Sequence, residues 1–254
     1  MTLDYVSPNL SVPRLDSLFP NMVEGDKSNV TWPYLRKSIT HTWYVDRRNP
    51  VVGFIDRDEA SILYCSAQMF RGRRGLEIGA WRGWSTCHLL TSGLSSLDVI
   101  EPLLLDSDWR EEFQRAVNSV NGKVRANLIA DKSPSAVERL ASEGRKWSFA
   151  FIDGEHLGAA PLHDAAVCEP RMEADALVLF HDLVVPDVAA GLREMAARGW
   201  KVALYQTAQM MGVAWRGDVE PVKHIPDPGQ PWTVPDHLAG LPIFGGDRYR
   251  NLDD

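Results

Sequence analysis

From Asp56 onward, short uninterrupted apolar runs alternate with longer stretches in which apolar residues recur every three or four positions. The first kind reads as strands covered on both faces, the second as amphipathic helices. "RDEASILYCSAQMFRG" sets Ala60, Leu63, Tyr64, Ala67 and Phe70 at helical spacing, with Asp58 and Glu59 near its start and Gly72 at its end. "RGLEIGA" follows as a buried strand, and "WSTCHLLTSGL" as a helix that ends near Gly93. "LDVIEP" is a strand and "DWREEFQRAVNSVNG" a helix stopped by Asn121-Gly122. "VRANLIAD", "WSFAFIDGEH" and "ADALVLFHD" are further strands. The helices that follow them carry Pro134, Pro161 and Pro186 in their first turns. "KVALYQT" and "MGVAWRG" close the pattern with no helix between them, as a hairpin does.

This alternation predicts an α/β fold: a Rossmann-like, doubly wound, mostly parallel seven-stranded sheet with one antiparallel strand. The pattern is confined to residues 56–216. Residues 1–55 are rich in Pro, Asn and Ser with weak periodicity, and read as an irregular arm that could fold over a site as a lid. Residues 217–254 are rich in Pro and Gly, and read as an ordered tail or a dimer arm. Arm and tail together lead us to expect a homo-oligomer.

Composition narrows the class of partner. The 254 residues are 44% hydrophobic and 24% charged, with a formal net charge of -7. An acidic surface repels phosphate backbones, so nucleic acid is not the expected partner; the short basic group Arg71, Arg73 and Arg74 reads as a solvated lead into a strand. The N-terminus lacks the basic start and apolar run of a secretory signal, and no run reaches the length of a membrane span. Cys65, Cys87 and Cys168 are widely separated with no C-x-x-C pair, and read as small core residues. A soluble cytoplasmic protein is the expectation.

In open α/β sheets, ligands sit beyond the carboxyl ends of the strands. Glu77, Gly79 and Gly83 fall at the first such end, and Glu101 at the second. Asp131 and Ser133 follow the third strand, Asp153, Glu155 and His156 the fourth, and His181 and Asp182 the fifth. Polar groups at five successive strand ends point to a ligand-binding rim rather than to folding alone.

The glycine turn "LEIGAWRGWS" lacks the G-x-G-x-x-G that brings a backbone against a pyrophosphate, which argues against a dinucleotide. It resembles the first motif of the class I S-adenosylmethionine-dependent methyltransferases, E-x-G-x-x-x-G-x-[ST], carried here by Glu77, Gly79, Gly83 and Ser85. The resemblance implies that this turn holds the amino acid part of S-adenosyl-L-methionine. It implies that Glu101 binds both ribose hydroxyls, and that Asp131 with Ser133 lies near the adenine. Glu77 is expected to order the turn or to meet the cofactor's amino end.

"FIDGEH" and "VLFHD" bring a second pair of acids into play. Asp153 and Asp182 end consecutive strands, which as sheet neighbours lie about 4.8 Å apart. Two ionised carboxylates that close repel unless one is protonated or a cation lies between them. Mg²⁺ or Ca²⁺ is the expected occupant, with Glu155 or His181 completing its ligands; the other reading has these acids capping helices or bonding the cofactor. His156 either takes the proton of an acceptor hydroxyl as general base or only bonds backbone at its turn. His163, on the next helix, reads as surface or packing.

The pairing of "FIDGEH" with "LFHD" is similar to metal-dependent sugar and antibiotic O-methyltransferases, to which cephalosporin-hydroxylase-like proteins are related. There the two aspartates hold magnesium and the histidine is the base, implying these roles for Asp153, Asp182 and His156. Some relatives carry Glu before the second aspartate, where this chain has His181. The expected activity is O-methyl transfer to a small-molecule hydroxyl, on a saccharide or a glycosylated secondary metabolite. A catechol-like phenol and a non-catalytic ligand-binding member of the fold are the alternatives. Trp81 and Trp84 in the turn, and Trp32, Tyr34 and Trp43 in the arm, either face the acceptor or pack the arm onto the domain.

Overall fold

The structure is a computed structural model that describes residues 5–25, 43–120, 124–229 and 234–244. The described N-terminal residues contain β1 (Met22–Gly25), β2 (Trp43–Asp46) and β3 (Asn49–Phe54), which form a small antiparallel sheet in that order. The sequence predicts an irregular arm here. These strands are short and partly polar, so they lack the periodicity that marks a strand. Phe54 and Tyr44 pack them onto the core, and ion pairs tie them to the main domain. Asp46, fully buried, meets Arg82 of the glycine turn at 3.0 Å, and Arg48 bridges Asp46 to Glu112.

The main sheet has seven strands, as expected: β4 (Arg74–Ile78), β5 (Ser96–Ile100), β6 (Arg125–Ile129), β7 (Trp147–Ile152), β8 (Met172–Phe180), β9 (Lys201–Leu204) and β10 (Gly212–Arg216). Their order is β6-β5-β4-β7-β8-β10-β9, and only β10 runs antiparallel to its neighbours. Successive side chains point to opposite faces. Phe149 and Phe151 therefore join the core under α1 (Arg57–Gln68), α2 (Trp84–Thr91) and α3 (Ser107–Ser119), while Ala150 and Ile152 join the core under α4 (Ser135–Ser142), α5 (Ala160–Cys168) and α6 (Pro186–Ala197). Cys87 and Cys168 are buried in these two cores, and Cys65 is half-buried.

The strand order reverses between β4 and β7, and this crevice is where such sheets take ligands. The described part of the C-terminal segment packs back on its own chain. Phe244 stacks on Tyr205 with ring centroids 4.9 Å apart, and His224 meets Asp58 of α1 at 2.6 Å. Among the described residues, no helix is long and apolar enough to cross a membrane.

Candidate active site

A cavity of about 640 Å³ opens at the carboxyl ends of β4, β5, β7 and β8. That size lies within the range of pockets for cofactor-sized molecules. Gly79, Trp81, Glu101, Lys132 and Ser133 line one side, and Asp153, His156, His181 and Asp182 the other.

Gly79 makes the crevice between β4 and β7 possible. Its φ is 80°, and a Cβ there would stand 2.0 Å from the Asp153 carbonyl oxygen. Only glycine fits both conditions without strain. Gly83 begins α2 with φ 90°, and a Cβ there would press on the Phe113 ring at 3.0 Å. Glu101 binds the turn from the neighbouring strand: one carboxylate oxygen accepts the N–H groups of Ala80 at 2.9 Å and Trp81 at 2.8 Å, and the other accepts that of Leu103 at 2.9 Å.

Of the other residues expected to meet the cofactor, Ser133 lines the cavity, and Glu77, Gly83, Ser85 and Asp131 do not. Glu77 is fully buried behind the turn, where its two oxygens accept the hydroxyls of Ser85 and Thr86, both at 2.6 Å. Burial pushes its pKa up to about 8. Glu77 and Gly83 line no part of the cavity, while Ser85 borders a narrow recess beside it together with Gly79, Ala80 and Asp153. Asp131 stands at the surface and pairs with Arg139 at 2.5 Å, leaving Lys132 and Ser133 to line the cavity. Trp32 and Tyr34 lie outside the described residues, as does the Trp43 side chain. Trp84 packs in the core, and Trp81 lines the cavity with its ring edge-on to Trp109.

At the other side, two carboxylates and two imidazoles meet. Asp153 Oδ1 lies 3.3 Å from both His156 Nε2 and His181 Nδ1, and Asp182 Oδ2 lies 3.3 Å and 3.2 Å from the same two atoms. The neighbouring strands β7 and β8 bring the aspartates together, as the sheet order requires. Asp182 holds φ 57°, a left-handed conformation that aspartate tolerates better than most residues. Burial opposes charge on His156, but the carboxylates of Asp182 and Asp153 outweigh it and raise its pKa. Burial likewise opposes ionisation of Asp153, and the imidazoles overcome it, leaving its pKa at about 2.

Sequence reasoning missed Glu59 as a member of this group. Glu59 and Asp56 form the capping box of α1, each side chain accepting the other's backbone N–H, at 2.8 Å to Asp56 and 3.0 Å to Glu59. That local role explains both acids from sequence alone. The structure adds that Glu59 is buried and stands 3.1 Å from His181 Nε2.

The chemistry of the donors fits a divalent cation. Asp153, His181 and Asp182 each offer a ligand atom, all within 4.8 Å of one another. Both nitrogens of buried His181 touch carboxylates without making a well-angled hydrogen bond.

Comparison with known proteins bears on the fold and on the segment that carries these residues. Residues 76–183 match the family model described as a methyltransferase domain. Among solved structures, the chain is similar to the O-methyltransferase from Bacillus cereus in complex with SAH, at 14% identity and TM-score 0.52, covering 64% of this chain and 83% of that one. It is similar to the O-methyltransferase TomG from Streptomyces achromogenes, involved in tomaymycin synthesis and solved with SAM, at 16% identity and TM-score 0.52, covering 65% and 82%. It is similar also to precorrin-6y C5,15-methyltransferase from Geobacter metallireducens, at 9% identity and TM-score 0.53, covering 65% and 90%. No curated protein sequence matches the chain. The fold is that of the class I S-adenosylmethionine-dependent methyltransferases, and the segment matched as a methyltransferase domain runs from the glycine turn through Asp182.

Proposed function

We propose that this protein transfers the methyl group of S-adenosylmethionine to a hydroxyl of a small molecule, with His156 as general base. The observation that carries this reading is His156 Nε2 in the cavity wall, 3.3 Å from the carboxylates of both Asp153 and Asp182. The fold alone does not choose the acceptor atom, because chains of similar fold include a precorrin methyltransferase. A base beside paired acids is what a hydroxyl acceptor needs, since a neutral hydroxyl is a poor nucleophile.

Gly79 and Glu101 would hold the donor, with Ser133 and Lys132 beside its base. Asp153, Asp182 and His181 would hold a divalent cation. When bound, the sulfonium supplies an activated methyl group, and the cation lowers the pKa of an acceptor hydroxyl. The protein's own share is positional. Its cavity walls orient the acceptor oxygen toward the methyl carbon, and His156 accepts the hydroxyl proton at Nε2. The two carboxylates strengthen that base.

A saccharide or glycosylated metabolite is the acceptor class we favour. Phe54 and Trp81 in the cavity lining also suit a flat phenol, which is the second reading. The test is to incubate the protein with methyl-labelled S-adenosylmethionine and panels of sugars, glycosides and catechols. Label in an ether-linked methyl group of a saccharide supports the reading. Label appearing only on carbon or nitrogen would contradict it.

A further inference from the structure

His181 occupies the place where an all-carboxylate cation site would carry a third acid, and its surroundings fix how it presents its nitrogens. It is 5% exposed. Its Nε2 faces Glu59 Oε2 at 3.1 Å, while its Nδ1 faces Asp153 Oδ1 at 3.3 Å and Asp182 Oδ2 at 3.2 Å. Glu59 has little freedom to move: its Oε1 accepts the Gln209 N–H and its Oε2 the Asp56 N–H, both at 3.0 Å. A carboxylate so held faces the Nε2–H of the ring, which points Nδ1 between the two aspartates, where it could ligate a cation. Burial opposes charge on His181, but without a cation the surrounding carboxylates outweigh it, raise its pKa and favour the ring protonated at both nitrogens; a cation among the aspartates would take the place of the Nδ1 proton.

We propose that Asp153, Asp182 and His181 form a site that selects a first-row transition ion, such as Mn²⁺, over Mg²⁺, and that Glu59 is the positioning residue that turns His181 Nδ1 into the ligand. This rests on the cation reading given above and names the ion that site takes. Two lines of chemistry carry it. Magnesium prefers oxygen ligands, whereas imidazole nitrogen suits the ions from manganese to zinc. A carboxylate on the far nitrogen of a ligating histidine fixes its tautomer and raises its basicity. The depths of the two histidines separate their roles: the His181 side chain is 6% exposed and lies against α1, while that of His156 is 18% exposed and faces the open cavity.

The test uses the full chain, stripped with a chelator, dialysed and titrated with Mn²⁺, Zn²⁺ or Mg²⁺ in the absence of S-adenosylmethionine. Mn²⁺ and Zn²⁺ are expected to bind one site at least a hundredfold more tightly than Mg²⁺. The Mn²⁺-loaded protein is expected to show nitrogen-14 coupling in pulsed electron paramagnetic resonance. Glu59→Gln should weaken Mn²⁺ binding roughly ten- to a hundredfold. His181→Glu should abolish the nitrogen coupling and narrow the preference over Mg²⁺ by at least tenfold. Should His181→Glu fail to fold, the wild-type spectrum decides alone. Equal or tighter Mg²⁺ binding, absent nitrogen coupling, or no binding of any of the three ions would overturn the inference. S-adenosylhomocysteine binding is measured on the same sample: if it persists while the ions fail, the methyl-transfer reading stands and only the metal assignment falls.

Discussion

Glu101 and Trp81 are joined by a 2.8 Å hydrogen bond from the Trp81 backbone N–H to the Glu101 carboxylate, across the ends of neighbouring strands β5 and β4. One acid thus shapes the glycine turn and borders the cavity. Its neutral amide would keep an acceptor oxygen but lose the charge. Hydrogen bonds to charged groups contribute about 1.5–3 kcal/mol. Glu101→Gln is therefore expected to weaken S-adenosylhomocysteine binding roughly ten- to a hundredfold by calorimetry, with the circular dichroism spectrum retained.

The contact between Gly79 and Asp153 sets a steric limit. A Cβ at residue 79 would overlap the Asp153 carbonyl at 2.0 Å, with φ at 80°. Gly79→Ala is expected to destabilise the fold by more than about 3 kcal/mol. A drop in thermal midpoint measures it, and a midpoint like that of wild type would show that the crevice is looser than described.

His88 ties stability to pH. It is fully buried against Trp84, both ring nitrogens lack hydrogen-bond partners, and burial, aided by Arg57, lowers its pKa to about 3. The unfolded chain binds a proton below about pH 6.5 that the native state refuses until about pH 3, so this residue costs stability as pH falls through that window. At pH 5.5 the cost is about 1.4 kcal/mol. His88→Leu is expected to reduce the acid loss of stability in denaturant titrations at pH 5.5 relative to pH 7.5.

Much of the site is readable from sequence because each buried strand is an apolar run that ends abruptly in a polar group. Gly79, Glu101, Asp153, His181 and Asp182 all stand at such boundaries, and all line the cavity. Glu59 was hidden because an acid in a first helical turn already has a local explanation, and its 3.1 Å contact with His181 joins two residues far apart in the chain that only the fold brings together. Asp131 looked equivalent to Glu101 by position, yet a surface arginine, Arg139, holds it outward. The small N-terminal sheet is tied down by contacts distant in sequence, with Arg82 and Glu112 through ion pairs and with Phe19 and Trp84 through ring packing, and its short strands left no periodic trace.

His156 and Asp182 should separate in kinetics from Glu101. Loss of a general base typically costs about 10²–10⁴-fold in rate. His156→Ala and Asp182→Asn are expected to lower kcat within that range and to leave the affinity for S-adenosylmethionine near wild type. A variant that loses donor affinity and keeps kcat would assign its residue to donor binding.

Calorimetric titration of the wild-type chain with S-adenosylmethionine, repeated with a chelator present, addresses the reading of the rim directly. One donor molecule per chain is expected to bind in both conditions and to be displaced by S-adenosylhomocysteine. No binding of either compound would contradict the assignment of the cavity between Glu101 and Asp153.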